Sequence, residues 1–247
     1  MRITYGVDLG LPWWMATVLY LMLILEFVIF AVISQNLATG FVIGIAVGGA
    51  WPEKPKGTPS HDPALDARPY KRTLDAFAEE VKRRSESCGT ELERATVLCD
   101  YLSGTVGFSG GDGDYHHPDN VHLHRVLETR SGLPLSLCAV YLLVARRVGL
   151  RASILPLPGH VMLRLHGLRT SRIVDPFHGC RVRSQASLMS YLASHDLGFD
   201  PNWFRGASDR SLFLRQVNNL IQTYSERGFP SEIETLLDTL DAAGFGA

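Results

Sequence analysis

The first third of the chain contains one long, uninterrupted hydrophobic run. "LPWWMATVLYLMLILEFVIFAVIS" occupies residues 11–34, and Glu26 is its one charged residue. At about 1.5 Å of helical rise per residue, this run is long enough to cross a hydrocarbon layer of roughly 30 Å. Trp13 and Trp14 lie near one end, where aromatic side chains anchor membrane helices. The pattern predicts a transmembrane helix over residues 12–34. A cleaved signal peptide and a buried core helix are the alternatives.

The segment that follows sets the expected orientation of this helix. A second apolar run, residues 41–51, is too short to span a bilayer alone, so one span and a hairpin are both open over 12–51. Several basic residues follow it, whereas only Arg2 precedes the first run. The positive-inside rule therefore predicts a single-pass membrane protein whose C-terminal part is cytoplasmic. We interpret residues 1–51 as a membrane-anchoring segment and the proline-rich residues 52–70 as a linker.

Beyond residue 70 the hydrophobic positions recur with helical spacing. Two helices are predicted within residues 71–103. A third is predicted from Pro134, since proline suits the first turn of a helix, to Gly149, which is typical of a helix end. Its apolar stripe consists of Leu137, Val140, Tyr141, Val144 and Val148. Two extended segments follow this helix.

These two extended segments bring a histidine and an aspartate into register. If the chain turns at Gly167 and Leu168, residue 164 pairs with 171 and 162 with 173. His160 and Asp175 then lie directly opposite each other on one face. A carboxylate in that position fixes an imidazole tautomer and stabilises its cation, as catalytic triads require. A histidine that merely ends a strand, next to an Asp-Pro turn, explains the same residues without function.

Composition excludes some functions. The chain has 247 residues and a net charge of −1, which gives no basic surface for nucleic acid. Its four cysteines have no C-x-x-C spacing, so we expect neither a zinc site nor a disulfide framework, and unpaired thiols fit a reducing compartment. Four histidines lie close together, and we expect them to be solvated loop residues rather than metal ligands: His116, His117, His122 and His124. We expect no cofactor.

Several motifs in combination resemble the SirB-one family, which carries a divergent transglutaminase-like core. They are "HPDNVHLHRVLETRSGLPLSLCAVYLLVARRVGL", "LPLPGHVMLRL" and "IVDPFHGCRV". The tail "FLRQVNNLIQTYSERGFPSEIETLLDTL" is similar to the helix pair that leads into tetratricopeptide-like repeats in that family. The resemblance implies a transglutaminase-like α+β fold, in which a central helix packs on an antiparallel sheet. It also implies that His160 and Asp175 occupy the histidine and aspartate positions of a cysteine-dependent site.

The nucleophile does not carry over from that resemblance. Active relatives have a cysteine at the start of the central helix, and Pro134 occupies this position here. On a helix of 100° per residue, Ser136 points almost opposite to Pro134, whereas Cys138 returns to the same side one turn later. Cys138 is therefore the candidate nucleophile of a Cys138, His160 and Asp175 site, although a cysteine on an apolar stripe is commonly a small buried hydrophobe.

Two functions are consistent with these observations. The first is a membrane-tethered, non-catalytic transglutaminase-like scaffold that acts through protein contacts, and the second is a cysteine-dependent amide hydrolase or transamidase. We predict a transglutaminase-like domain over residues 71–206 and a C-terminal helical hairpin over 207–247. The expected partner is another protein, and the membrane is contacted through the N-terminal helix.

Overall fold

The computed structural model describes residues 66–111 and 113–242. The predicted membrane segment, and all of the linker before Asp66, lie outside the described residues. Within the described ranges, no helix has the length and hydrophobicity that a bilayer crossing requires. The helices are α1 (Arg68–Arg84), α2 (Glu91–Cys99), α3 (Leu123–Thr129), α4 (Pro134–Arg147), α5 (Gln185–Ser194), α6 (Asp209–Arg227) and α7 (Pro230–Ala242). The strands are β1 (Ala152–Leu155), β2 (Met162–His166), β3 (Ser171–Asp175) and β4 (Arg181–Arg183).

The first two helices follow local rules of helix formation. Helix α1 begins at Arg68, within the last residues of the predicted linker, with proline in its first turn and three basic residues in its last turn. Helix α2 has a capping box, in which the Thr90 hydroxyl accepts from the backbone of Glu93 and the Glu93 carboxylate accepts from the backbone of Thr90. A π-helical turn, Asp100–Thr105, continues α2 and buries Leu102.

Helix α4 is the centre of the fold. The sequence pattern predicts one apolar stripe, but every residue from Pro134 to Ala145 is buried, so this prediction was too narrow. The helix packs against α1, α2, α3 and α6, against β1 and β2, and against the turn that follows β3. Because protein surrounds it on all sides, polar side chains such as Ser136 and Cys138 are buried as deeply as Val140.

The four strands form one antiparallel sheet in the order β1-β2-β3-β4. Strand β2 pairs with β3 so that Arg164 lies opposite Ile173 and His166 opposite Ser171. The predicted register, with 164 opposite 171, was wrong by two residues. The turn has four residues, 167–170, and is closed by a hydrogen bond from the Gly167 amide to the Thr170 carbonyl. A shift of two residues leaves every side chain on its predicted face, because side chains alternate with a period of two.

The C-terminal helices pack directly on the central domain. In α6, the Gln216 amide donates to the Val121 carbonyl at 2.6 Å, and the Tyr224 hydroxyl lies 3.2 Å from the His122 ring. Leu220 and Tyr224 form an apolar cluster with Leu236 of α7 and with residues from the segment before α4. The α6–α7 hairpin therefore shares buried surface with the domain that precedes it.

One cysteine pair contradicts the expectation of unpaired thiols. Cys99, at the end of α2, and Cys180, in the turn before β4, form a disulfide, while Cys88 and Cys138 are free. The two bonded cysteines are 81 residues apart in the chain. The spacing of the cysteines along the chain does not predict this pair, because only the packing of the sheet against α2 brings the two together.

The complete burial of α4 predicts a strong effect of one substitution. Val140→Asp should prevent cooperative folding, because an unpaired charge in the core costs several kcal/mol. The measurement is a thermal melt of the full chain, monitored by circular dichroism. Val182→Asp is the matched control, since Val182 is 63% exposed on β4 and should melt like the wild type. A cooperative melt of Val140→Asp at the wild-type temperature would contradict the buried position of this face.

Candidate active site

The buried carboxylate of Asp175 is the centre of the candidate site. Asp175 is the last residue of β3, and its side chain is completely buried. Pro176 follows it and starts a 3₁₀ turn, Pro176–His178, because proline ends the strand and fixes the backbone for a turn. Gly179 and Cys180 then adopt left-handed backbone angles, φ 69° and 56°, which return the chain into β4. Asp175 is thus enclosed by its own turn.

Three side chains converge on one oxygen of this carboxylate. His178 Nδ1 lies 2.8 Å from Asp175 Oδ2. The Arg183 guanidinium donates to the same oxygen twice, from Nη2 at 2.6 Å and from Nε at 3.1 Å. His160 Nε2 lies 3.0 Å from it. The carboxylate is therefore surrounded by three groups that carry or can carry positive charge.

His160 reaches the carboxylate from the loop between β1 and β2. Gly159 has φ 71°, and the His160 amide donates to the Leu157 carbonyl, so a tight turn aims the imidazole at the end of β3. The ring N–H is poorly aligned on Asp175 Oδ2, which makes the pair a close electrostatic contact rather than a well-formed hydrogen bond. His160 lies before the first residue of β2, and the two side chains meet diagonally instead of directly across the ladder.

The electrostatics of Asp175 favour its ionised form. Burial by itself raises the pKa of a carboxyl group, but the contact and charge of His160 and the hydrogen bonds from Arg183 and His178 outweigh it. The pKa of Asp175 is consequently lowered from its ordinary value. Its second oxygen, Oδ1, is buried and has no hydrogen-bond partner among the described residues. This carboxylate therefore retains an unused acceptor.

The Cys138 thiol lies next to this site but is sealed in the core. Its side chain has no exposed surface, and its Sγ donates to the Val161 carbonyl at 3.6 Å. Val161 is the neighbour of His160 in the chain, so the sulfur is directed at the backbone beside the histidine. Burial, together with the negative charge of Asp175, raises the pKa of this thiol well above its ordinary value, although Arg215 opposes the shift. The neutral thiol is thus the stable form of Cys138.

The other positions at the start of α4 offer no nucleophile facing His160. Pro134 is the first residue of the helix and is buried. The Ser136 hydroxyl donates to the Val121 carbonyl and accepts a hydrogen bond from Gln216, on the side of α4 that faces α6. Its direction agrees with the helical geometry that points it away from Pro134.

A polar pocket opens beside His160. It has a volume of about 480 Å³ and is lined by His160, His178 and Arg183 together with one face of α5. That face presents hydroxyl groups at intervals of three or four residues, from Ser187, Ser190, Tyr191 and Ser194. The Tyr191 hydroxyl donates to the Pro158 carbonyl at 2.8 Å and holds the loop that carries His160.

The clustered histidines before α4 have structural positions. His122 and His124 are buried at the start of α3, so the expectation of solvated loop residues was wrong for these two. Burial lowers the pKa of His124. His116 and His117 are partly exposed and contact the carboxylates of Glu226 and Asp119. Within the described ranges, these four histidines do not form a three-ligand group.

The sequence predicts that His160 lies near Asp175, but it does not predict the contacts of His178 and Arg183 with this carboxylate. His178 had a local signal, since an Asp-Pro-x-His segment starts a turn that brings its fourth residue back to its first. Arg183 had none, because its contact depends on the register of β3 with β4, in which Asp175 lies opposite Arg181. The register places Arg183 diagonally across from Asp175, on the same face.

The lowered pKa of Asp175 predicts a specific pH dependence of stability. A carboxyl group whose pKa is lower in the folded state stabilises that state fully above about pH 4, and the contribution is lost as the pH falls further. Between pH 5 and pH 3, urea unfolding should show wild-type stability falling more steeply than that of Asp175→Asn, by at most about 1.4 kcal/mol per pH unit. In the control, the exposed Asp238→Asn, stability should fall with pH as steeply as in the wild type. Equal pH dependence of stability in all three proteins would contradict the lowered pKa of Asp175.

The sequence of this chain is similar to a known superfamily and to several known proteins. The profile described as the transglutaminase-like superfamily matches residues 68–218. A UPF0162 protein of Xylella fastidiosa is 28% identical over 169 residues, which cover 66% of this chain and 60% of the relative. A UPF0162 protein of Pseudomonas aeruginosa is 27% identical over 172 residues, 69% of this chain and 63% of the relative. F-box only protein 21 of Mus musculus is 39% identical over 153 residues, 59% of this chain and 23% of the relative.

The matches cover only part of the relatives but more than half of this chain. The chain spans about 60% of the length of the UPF0162 proteins of Xylella fastidiosa that it matches. No solved structure matches it significantly. The superfamily profile covers more than half of the chain, from α1 into α6, and includes the central helix, the antiparallel sheet and both His160 and Asp175. The chain therefore belongs to the transglutaminase-like superfamily.

Proposed function

We propose that this protein is a membrane-tethered, transglutaminase-like scaffold that works through protein contacts and performs no acyl transfer. The observation that carries the proposal is the state of the nucleophile positions at the start of α4. Pro134 has no reactive group, and the Cys138 thiol is buried, donates to a backbone carbonyl and has a raised pKa. A cysteine nucleophile must be ionised and must reach its substrate.

The position of Cys138 opposes both requirements at once. A reactive cysteine is activated by a neighbouring cation, but the pKa of Cys138 is raised mainly by burial and further by the negative charge of Asp175. Arg215 acts in the other direction, although its guanidinium is mainly engaged with the Leu157 carbonyl at 3.0 Å. A substrate carbonyl would have to displace core side chains before it met the sulfur.

The remaining features suit a protein that holds a partner. The fold retains the His160–Asp175 pair as architecture, because the pair links the β1–β2 loop to the end of β3. We further propose that the α6–α7 hairpin, whose sequence resembles the helix pair that leads into tetratricopeptide-like repeats, presents a groove to a partner peptide. In this proposal the predicted helix over residues 12–34 keeps the domain at the cytoplasmic face of a membrane.

One observation favours a second function, a cysteine-dependent amide hydrolase or transamidase. His160 and Asp175 are in contact, and a pocket of about 480 Å³ opens on the histidine. In such an enzyme the Cys138 sulfur, which now donates to the carbonyl of the residue next to His160, would have to turn from that carbonyl to the imidazole. In this alternative, Cys138 is the nucleophile, His160 the general base, and Asp175 the group that orients the histidine.

Thiol reactivity separates the two functions. In the native full chain, iodoacetamide should alkylate Cys138 at neutral pH much more slowly than the half-buried free Cys88, because Cys138 is sealed and protonated. The rate at each cysteine is measured by peptide mass spectrometry, and urea-unfolded protein provides the reference in which both react alike. His160→Ala should leave the slow rate at Cys138 unchanged.

The opposite result would establish the enzyme. Rapid labelling of Cys138 that falls in His160→Ala requires a thiolate activated by the histidine and contradicts the scaffold. Cys88→Ala is the matched control for the loss of a free thiol. In Cys88→Ala, the alkylation rate at Cys138 should equal that of the wild type.

The membrane tether has its own test. A reporter that is active only in the cytoplasm, fused after Ala247, should be active and should sediment with membranes, because the basic residues after the apolar run favour that side. The matched control replaces Leu21 and Leu25 by Asp, which should release the fusion into the soluble fraction. Disulfides are rare in the cytosol, so the Cys99–Cys180 bond favours the opposite orientation, and the reporter decides between the two. An inactive fusion with an active exported reporter would reverse the orientation.

A further inference from the structure

The contacts of Asp175 bring together three groups that are metal ligands in other proteins. Ligand atoms of His160, Asp175 and His178 all lie within 4.8 Å of one another. Within the described residues, this is the one group of three or more histidine, cysteine or acidic side chains so arranged. Two imidazoles and one carboxylate form the ligand set of many catalytic zinc sites. We propose that these three residues bind a divalent transition-metal ion of the zinc class.

The distances are close to those that such an ion requires. Bonds of about 2.0–2.1 Å in a tetrahedral arrangement separate two ligand atoms by roughly 3.3 Å. The nitrogen-to-oxygen distances from Asp175 Oδ2 are 3.0 Å to His160 and 2.8 Å to His178. The ion binds the lone pair of the imidazole nitrogen that faces Asp175 in each histidine, with the ring proton on the other nitrogen, and an expansion of a few tenths of an ångström accommodates it.

Unsatisfied atoms in the cluster form a second, independent observation. Asp175 is completely buried, yet its Oδ1 has no partner among the described residues. His160 Nε2 is buried and also lacks a well-formed hydrogen bond. Leaving a buried polar atom unpaired costs stability, and a charged group costs more than a neutral one. A cation bound between the imidazoles and the carboxylate satisfies both atoms at once.

Arg183 is the group that opposes the ion. Its guanidinium donates twice to Asp175 Oδ2 and competes for the same negative charge. Both imidazoles face this same Oδ2, so an ion bound there displaces the guanidinium, while the unpaired Oδ1 is free to join as the second oxygen of a bidentate ligand. This competition makes Arg183 a determinant of affinity and gives the proposal a variant that should strengthen binding.

The site has an open side. His178 is half exposed, with 50% of its side chain accessible, and it borders the same pocket as His160. Zinc sites with three protein ligands keep one position for water or an external ligand. The pocket, with its wall of α5 hydroxyl groups, supplies room for that fourth ligand. The inference is independent of the proposed scaffold function, since an ion here stabilises either a scaffold or an enzyme.

The test is direct binding of Co²⁺, a spectroscopic substitute for zinc. The full chain, without a histidine tag and in mild detergent, is stripped with chelator and titrated with Co²⁺ while the visible absorption is recorded. We expect one ion per chain with the intense absorption of a tetrahedral site, displaced by Zn²⁺. His178→Ala and Asp175→Asn should weaken binding by roughly tenfold or more, because each removes one of three ligands.

Matched variants separate this site from other histidines. His195→Ala removes an imidazole from the wall of the same pocket but not from the cluster, so it should bind as the wild type does. Arg183→Met should bind more tightly, because it removes the competing cation. Since His178 is half exposed, His178→Ala should keep the wild-type circular dichroism spectrum. Absence of Co²⁺ absorption, or equal affinity in wild type and His178→Ala, would overturn the proposal.

Discussion

Burial of helix α4 on every side is the constraint on which the rest of the structure depends. The helix packs against four other helices and against the sheet, so no face of it reaches solvent from Pro134 to Ala145. Nucleophilic side chains on such a helix become part of the core. Cys138 therefore has a raised pKa and a backbone hydrogen bond, and Ser136 is taken up by Gln216 and the Val121 carbonyl. The same packing that stabilises the domain removes its candidate nucleophiles.

Asp175 connects this core to the surface pocket. A buried carboxylate is costly unless charges and hydrogen bonds compensate for its lost hydration. His160, His178 and Arg183 provide that compensation, and each comes from a different turn or strand. The loop before β2, the turn after β3 and strand β4 are thereby held in one arrangement. An acid–base pair and a set of metal ligands can both be built from the same residues, because both need neutral imidazoles directed at a carboxylate.

The scaffold and metal proposals concern different parts of this arrangement. The scaffold proposal depends on the inaccessible thiol of Cys138, whereas the metal proposal depends on the open side of His178 and the unpaired Oδ1 of Asp175. The two proposals can therefore be tested separately, because neither the sealed thiol nor the open side of His178 depends on the other.

The sequence by itself determined the local features of this protein. Helical periodicity and the Pro134–Gly149 punctuation located the central helix, and alternation put His160 and Asp175 on one face, because both signals arise from short-range backbone geometry. Tertiary structure alone decided the strand register, the Cys99–Cys180 disulfide and the addition of Arg183 to the site. The packing of helices and strands sets the length of a turn, the pairing of cysteines far apart in the chain, and the contacts between diagonal neighbours in a sheet. The burial of Cys138 belongs with them, since a helix pattern shows which side is apolar but not how many elements will cover the others.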